Sequence, residues 1–446
     1  MQAASLEAAL DARGADILER CTACGECVRV CPMPGPAGIG ADDPGAIAAG
    51  VLSILRGEAS PVASARWAAV CTGSGHCIEA CPEGVNPRLM LTLARLAARK
   101  REEPIERRRV GVTRFGGMST SVRVLSRLQL PPDVLARFRP DEDDEAEPPE
   151  VVFYTGCNVL KTPHIVLLCL DIMDALGVRY RVMGGPSHCC GVLQFRAGDL
   201  TTSGRLAYRT VERLASAAGG RVLSWCPTCQ IQLGEIVAPG KTDTHLDLTP
   251  FVLFLRDRLD ELRPLLTRPV AKRVGLHEHP GVPGVSEAAR AILEAIPGLA
   301  FVDLEQPRLG WMCNSLSTLP AWKRDVHRAQ LDAATAAGVD TLAGIYHACH
   351  RELCAHERDW PFEVVNFLEL VGESMGLCRP DLFKRLKLMQ DVDAILADTA
   401  PLMAANRVGL DEARAVILAD LLGEQPLPLG PFDVSSSASP ASPSGR

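Results

Sequence analysis

The chain has 446 residues, 47% apolar and 23% charged, with a formal net charge of −7. That is enough apolar material for two to four globular domains. The acidic balance argues against a nucleic-acid binder, which would present a basic face, and no apolar run reaches the roughly 18 residues of a membrane-spanning helix. The basic runs Arg99, Lys100, Arg101 and Arg107, Arg108, Arg109 read as a solvated helix face or linker.

The first residues, MQAASLEAALDARGAD, predict an acidic amphipathic helix and not a signal peptide. A cytoplasmic location follows as an expectation, with any contact at the inner membrane made through a partner. Seventeen cysteines then become the informative count. Cytosolic thiols stay reduced, so clustered cysteines point to metal or redox chemistry. Cys169, inside an apolar helix, and Cys378 read instead as plain packing residues.

The expected fold is α+β and multidomain, beginning with a helical two-cluster, ferredoxin-like unit over residues 1–110. Residues 21–32 read CTACGECVRVCP, a C-x2-C-x2-C-x3-C-P run. Three thiolates at this spacing wrap one face of a cubane, and the fourth cysteine, ahead of proline, serves the other cluster. Residues 71–82, CTGSGHCIEACP, repeat the run with Ser74 in place of the middle cysteine. The expected sets are therefore Cys21, Cys24, Cys27 and Cys81 for a 4Fe–4S cluster, and Cys71, Cys77 and Cys31 for a second. Ser74 leaves three readings of that second site: 3Fe–4S, 4Fe–4S with Ser74 Oγ or water on the fourth iron, or no cluster at all, against which the three intact cysteines and Pro82 weigh. Zinc also accepts four thiolates but does not call for this spacing. His76 is near enough to tune a sulfur, and reads more simply as a surface residue.

Residues 111–149 read as a less regular linker ending in the acidic RPDEDDEAEPP. From 150 the pattern alternates: strands at 151–155, 179–183 and 221–225, helices at 163–176 and 200–218. It repeats with strands at 273–279, 300–304 and 341–347 and helices at 287–296 and 320–337. A constant offset of 123 aligns Cys190 with Cys313, Cys226 with Cys349 and Val151 with Val274, a sign of duplication. Two tandem α/β modules are expected, 150–268 and 269–390, then a helical extension (391–422) and a Pro/Ser-rich tail in 391–446.

In the first module Cys157 (TGCN), Cys189 and Cys190 (HCCG) and Cys226 and Cys229 (CPTC) each follow a strand, where α/β sheets build their sites. TGC, HCCG and CPTC at these spacings resemble the cysteine-rich CCG domain of heterodisulfide reductase. With the ferredoxin runs ahead of them, residues 15–380 resemble the fused subunit of that family, and also the glycolate oxidase iron–sulfur subunit and the C subunit of anaerobic glycerol-3-phosphate dehydrogenase. The resemblance implies a non-cubane 4Fe–4S cluster on Cys157, Cys189, Cys190, Cys226 and Cys229, the catalytic residues if disulfide cleavage occurs there. The second module departs: Pro280, Met312, Asn314 and Glu352 stand at the positions aligned with Cys157, Cys189, Gly191 and Cys229. A second such cluster is not expected. His277, His279, His347, His350 and Cys354 could assemble a zinc or iron site, or the repeat serves as a structural cover.

No G-x-G-x-x-G follows a predicted strand, so a flavin or nicotinamide belongs to a partner. The resemblance implies an electron-transfer subunit working between a flavoprotein dehydrogenase or reductase and a quinone-reactive membrane subunit or a thiol/disulfide acceptor. The alternative is a heterodisulfide or persulfide reductase acting at the non-cubane cluster. A redox-inactive zinc scaffold is the third class.

Overall fold

A computed structural model describes residues 5–138, 149–217, 221–241 and 244–423. The acidic linker segment 139–148 and the tail 424–446 lie outside the described residues.

The N-terminal part is helical. Its helices Leu6–Arg20, Pro44–Arg56 and Pro87–Arg99 start where Ser5, Asp43 and Asn86 accept the backbone N–H of Ala8, Ala46 and Leu89. Pro44 and Pro87 stand at the first helical position of their helices, where a missing N–H costs nothing. Ile47, Val51, Trp67, Leu89 and Met90 fill the core. The short helices Glu26–Arg29 and His76–Glu79 carry the second half of each cysteine run.

The stretch after residue 104 is not irregular. It is a 26-residue helix, Pro104–Gln129. Its buried residues are nearly all in its second half, from Ser121 to Gln129, so the first half gives no apolar stripe to read. The C-terminal helices Leu382–Met389, Val392–Asn406 and Leu410–Val416 contribute to one apolar cluster with Val124, Leu125 and Leu128 of that long helix.

Two small parallel sheets follow. The first holds β1 (Val151–Tyr154), β2 (Tyr180–Met183), β3 (Arg221–Ser224) and β4 (Asp247–Pro250), in the order β2-β1-β3-β4. The second holds β5 (Arg273–His277), β6 (Ala300–Val302), β7 (Thr341–Gly344) and β8 (Glu363–Asn366), in the order β6-β5-β7-β8. The identical order supports the duplication.

The offset between the repeats is not constant, however. Val152 pairs with Val222 and Gly275 with Leu342, so it falls from 123 at the first strand (152 to 275) to 120 at the third (222 to 342). Cys349 therefore occupies the place of Cys229, not of Cys226, and Tyr346 that of Cys226. Both sheets feed one shared core, in which Phe153, Ile165 and Leu168 join Val274, Leu342 and Phe367.

Candidate functional site

The N-terminal cysteines gather around two small cavities. One is lined by Cys21, Cys24, Cys27 and Cys81. The other is lined by Cys31, Cys71, Cys77 and Ser74. Each cavity thus takes thiols from both runs. Burial, then the crowding of Cys21, Cys24 and Cys81, pushes the Cys27 thiol up to about 12. Burial, with Cys71, Cys31 and Cys27, does the same to Cys77. Thiols so crowded stay protonated unless cations balance them, and the donor set fits iron–sulfur clusters. Cys24 is exposed, so the first cavity lies at the surface. The indole N–H of fully buried Trp67 donates to Cys31 Sγ at 3.4 Å.

The second cavity is braced from outside its own unit. Ser74 Oγ accepts the Gly310 N–H at 2.8 Å and shares a hydrogen bond with Thr72 Oγ1 at 3.3 Å. Gly73 has φ +74, and a Cβ there would stand 2.0 Å from the Trp311 ring. Trp311 in turn donates its indole N–H to Thr228 Oγ1, between Cys226 and Cys229, at 3.1 Å. Buried Arg88 donates to the carbonyls of Gly73 (3.0 Å) and Gly281 (2.7 Å) and ion-pairs with Glu235. Exposed His76 faces the Arg308 carbonyl at 3.4 Å.

In the first module the five cysteines converge as the sheet requires. Cys157 follows β1, Cys189 and Cys190 follow β2, Cys226 caps the helix Pro227–Ile231 after β3, and Cys229 lies within it. Thiol hydrogen bonds from Cys189 and Cys229 hold Cys190 below the ordinary thiol range, and burial drives Cys157 above it. Gly156 has φ +71, and a Cβ there would press to 3.2 Å from Cys229 Sγ. The Gly191 N–H donates to Cys189 Sγ at 3.3 Å. Five convergent thiols with amide support fit a sulfur-bound cluster.

A chamber of about 1150 Å3 adjoins the second cavity at Cys71 and the CPTC loop at Thr228. Cys71, Trp311 and Thr228 line it, with Arg95, Arg101, Arg114 and Arg196. Its acids are spent: Glu102 pairs with Arg99 and Glu235 with Arg88. Among the described residues no carboxylate pairs with Arg101, Arg114 or Arg196. Desolvation and Arg95 depress Arg196, while Cys190 and Cys226 favour its charge. Lys100 and Arg101 of the basic run at 99–101 are exposed, as expected, although Arg99 and Arg101 also line this chamber.

The second module corrects the expected His/Cys set. His277 and His279 meet Cys313 and Cys349, and all four are buried. His347 and Cys354 are not in this group. Burial lowers His347 to about 3, and Cys354 packs with the C-terminal helices. His350 bonds Asp381 at 2.6 Å, beside His164 and Glu369. The two histidines at the end of β5 and the two surviving cysteines are the usable signal; three more residues added by proximity in sequence are not. Cys378 is exposed, so it is not a packing residue, whereas Cys169 is buried as expected.

The family described as "CCG: Cysteine-rich domain" matches residues 151–234. The chain is 24% identical over 400 residues to the D subunit of the dihydromethanophenazine:CoB–CoM heterodisulfide reductase of Methanosarcina mazei, covering 81% of this chain and 94% of that protein. The Methanosarcina barkeri protein of the same name is matched at the same identity and coverage. The B subunit of the fumarate reductase (CoM/CoB) of Methanothermobacter marburgensis is 24% identical over 314 residues, 68% of this chain and 60% of that protein. The chain thus carries a CCG cysteine-rich domain over residues 151–234 and is similar to the D subunit of heterodisulfide reductase along most of its length. Among the described residues no helix is long and apolar enough to cross a membrane.

Proposed function

We propose that this chain is the electron-transferring subunit of a multi-subunit oxidoreductase, set between a flavoprotein partner and a quinone or thiol/disulfide acceptor. The observation that carries the proposal is a continuous series of thiol groups: exposed Cys24 at the first cavity, the second cavity sharing its runs, then Trp311, then the CPTC loop. Bound clusters would supply one-electron carriers at these places, on Cys21, Cys24, Cys27 and Cys81, on Cys31, Cys71 and Cys77, and on Cys157, Cys189, Cys190, Cys226 and Cys229. The protein's own part is spacing and tuning. Trp311 spans the gap between Gly73 and Thr228, and Trp67 offers a hydrogen bond to the sulfur of Cys31, which favours an added electron. Ser74 Oγ, engaged by Gly310 and Thr72, favours three irons in the second cavity over a serine-ligated fourth.

The test is reduction by a flavoprotein. The expected result is bleaching of a brown, anaerobically purified chain without disulfide turnover. A colourless protein holding zinc but no iron would remove every redox reading.

The arginine chamber favours a second reading, cleavage of an anionic disulfide or persulfide beside the first module. The names of the relatives concern the CoB–CoM heterodisulfide and fumarate. Arg196, close to Cys190 and Cys226, and the three further guanidinium groups of the same chamber would hold acidic substrate groups. In this reading the isolated chain, given a chemical reductant, turns over an anionic disulfide. Arg196→Gln then raises KM about tenfold, the equivalent of about 1.4 kcal/mol, and leaves a neutral disulfide unaffected. Equal loss on both substrates would refute the anion-holding role.

A further inference from the structure

The second module has kept the site position of its sheet and changed the chemistry. His277 ends β5, His279 lies two residues on, Cys313 begins the turn after β6, and Cys349 lies in the helix His347–Leu353 after β7. His277 Nε2 is 3.1 Å from Cys313 Sγ, His279 Nε2 is 3.1 Å from Cys349 Sγ, and His279 Nε2 is 3.7 Å from Cys313 Sγ. All four ligand atoms lie within 4.8 Å of one another. With zinc–nitrogen bonds of about 2.0 Å and zinc–sulfur bonds of about 2.3 Å, a tetrahedral centre spaces nitrogen and sulfur by about 3.5 Å. The observed spacings straddle that value.

We infer that His277, His279, Cys313 and Cys349 bind one zinc ion as a closed, structural tetrahedral site.

Four features support this choice of ion and nuclearity. A two-iron centre with the same ligands would place both histidines on one iron and both cysteines on the other. Here each imidazole nitrogen is interleaved with sulfur around a single point. Two thiolates, two neutral imidazoles and Zn2+ sum to zero charge, which suits residues no more than 3% exposed. His279 Nδ1 faces the Leu309 carbonyl at 2.5 Å. Donation there leaves Nε2 free for the metal, the usual arrangement around a ligating histidine. Glu352, the nearest acid, is engaged by Lys323 at 2.5 Å, so it does not complete a carboxylate-rich site. With four protein ligands there is no open position for substrate. The ion would instead fix the loop 309–313, whose Gly310 holds Ser74 and whose Trp311 bridges Gly73 and Thr228.

The experiment uses the full chain, purified anaerobically after growth with added zinc. Elemental analysis should give one zinc per chain beside the iron. X-ray absorption at the zinc edge should show two sulfurs at about 2.3 Å and two nitrogens at about 2.0–2.1 Å. Cys349→Ser should lose the zinc and keep its iron, and His279→Cys should keep zinc with three sulfurs. Zinc well under one equivalent overturns the inference. So does a four-sulfur zinc shell, which would mean zinc in a ferredoxin cavity, or a site filled by iron. The absorption measurement on the unaltered protein decides the matter even if the variants fail to fold.

Discussion

Replacing Gly73 with alanine strikes the contact between the ferredoxin-like unit and the second module. The residue sits at φ +74, and its new Cβ would stand 2.0 Å from Cε3 and Cζ3 of Trp311. A left-handed backbone costs a non-glycine residue about 1–2 kcal/mol. The ring must retreat by about 1.5 Å to reach an ordinary carbon contact. That movement breaks its 3.1 Å bond to Thr228, worth about 1 kcal/mol, and adds about 1–2 kcal/mol of overpacking. The single substitution should therefore cost about 3–5 kcal/mol. In a Trp311→Ala background only the backbone cost remains, so the two changes should couple by about 2 kcal/mol, close to thirtyfold in a rate. The assay is the rate at which visible cluster absorbance is lost to a chelator at fixed temperature, in the four proteins of the cycle. Strictly additive effects would refute the reasoning, because the Trp311 clash would then not be what makes Gly73 necessary.

Three other expectations follow from the site. Trp67→Phe removes the hydrogen bond to Cys31 Sγ and should lower the second cavity's reduction potential by about 40 mV, taking about 1 kcal/mol for the bond; an unchanged redox titration would exclude this role. Ser74→Cys should abolish a three-iron EPR signal in the oxidised protein and add one iron per chain, so persistence of the signal counts against the ligand assignment. His164 joins the two modules through Asp381 and Glu369. Burial opposes its protonation, but those two carboxylates outweigh it, and its pKa is raised. Its contribution is complete below the unfolded value near 6.5 and fades as pH rises through the raised one. Asp381 is depressed, against its burial, by His164 and His350. Its contribution is complete above about 3.8 and fades as pH falls through the lowered value. Melting temperature should therefore drop on the alkaline side, and His164→Gln should flatten that drop; an identical slope would deny the lock.

What can be read from the sequence follows the strength of local signals. The central strands β1, β3, β5 and β7 carry runs such as VVFY and RVGLH and are readable. The outer strands β4 and β8 are not: each has four residues, and DLTP holds one strongly apolar side chain. The cysteine runs announce their pairing by spacing alone, whereas the Cys2His2 group depends on register. A constant offset places Cys349 opposite Cys226, but strand pairing shifts it by three residues, to the Cys229 position. No local pattern reveals the arginine chamber, since Arg95, Arg114 and Arg196 come from three helices that meet only when the units dock.

The loop around Trp311 gives the second module a task that needs none of the cysteines of the first. A chain cut after residue 268 would retain every cysteine of the three thiol groups. It would lose the Gly281 carbonyl that Arg88 grips, the Gly310 amide that holds Ser74, and the indole resting on Gly73 and Thr228. The second module is in that sense a keystone: whatever its own ligands hold, its loop clamps the neighbouring thiol groups at a fixed separation.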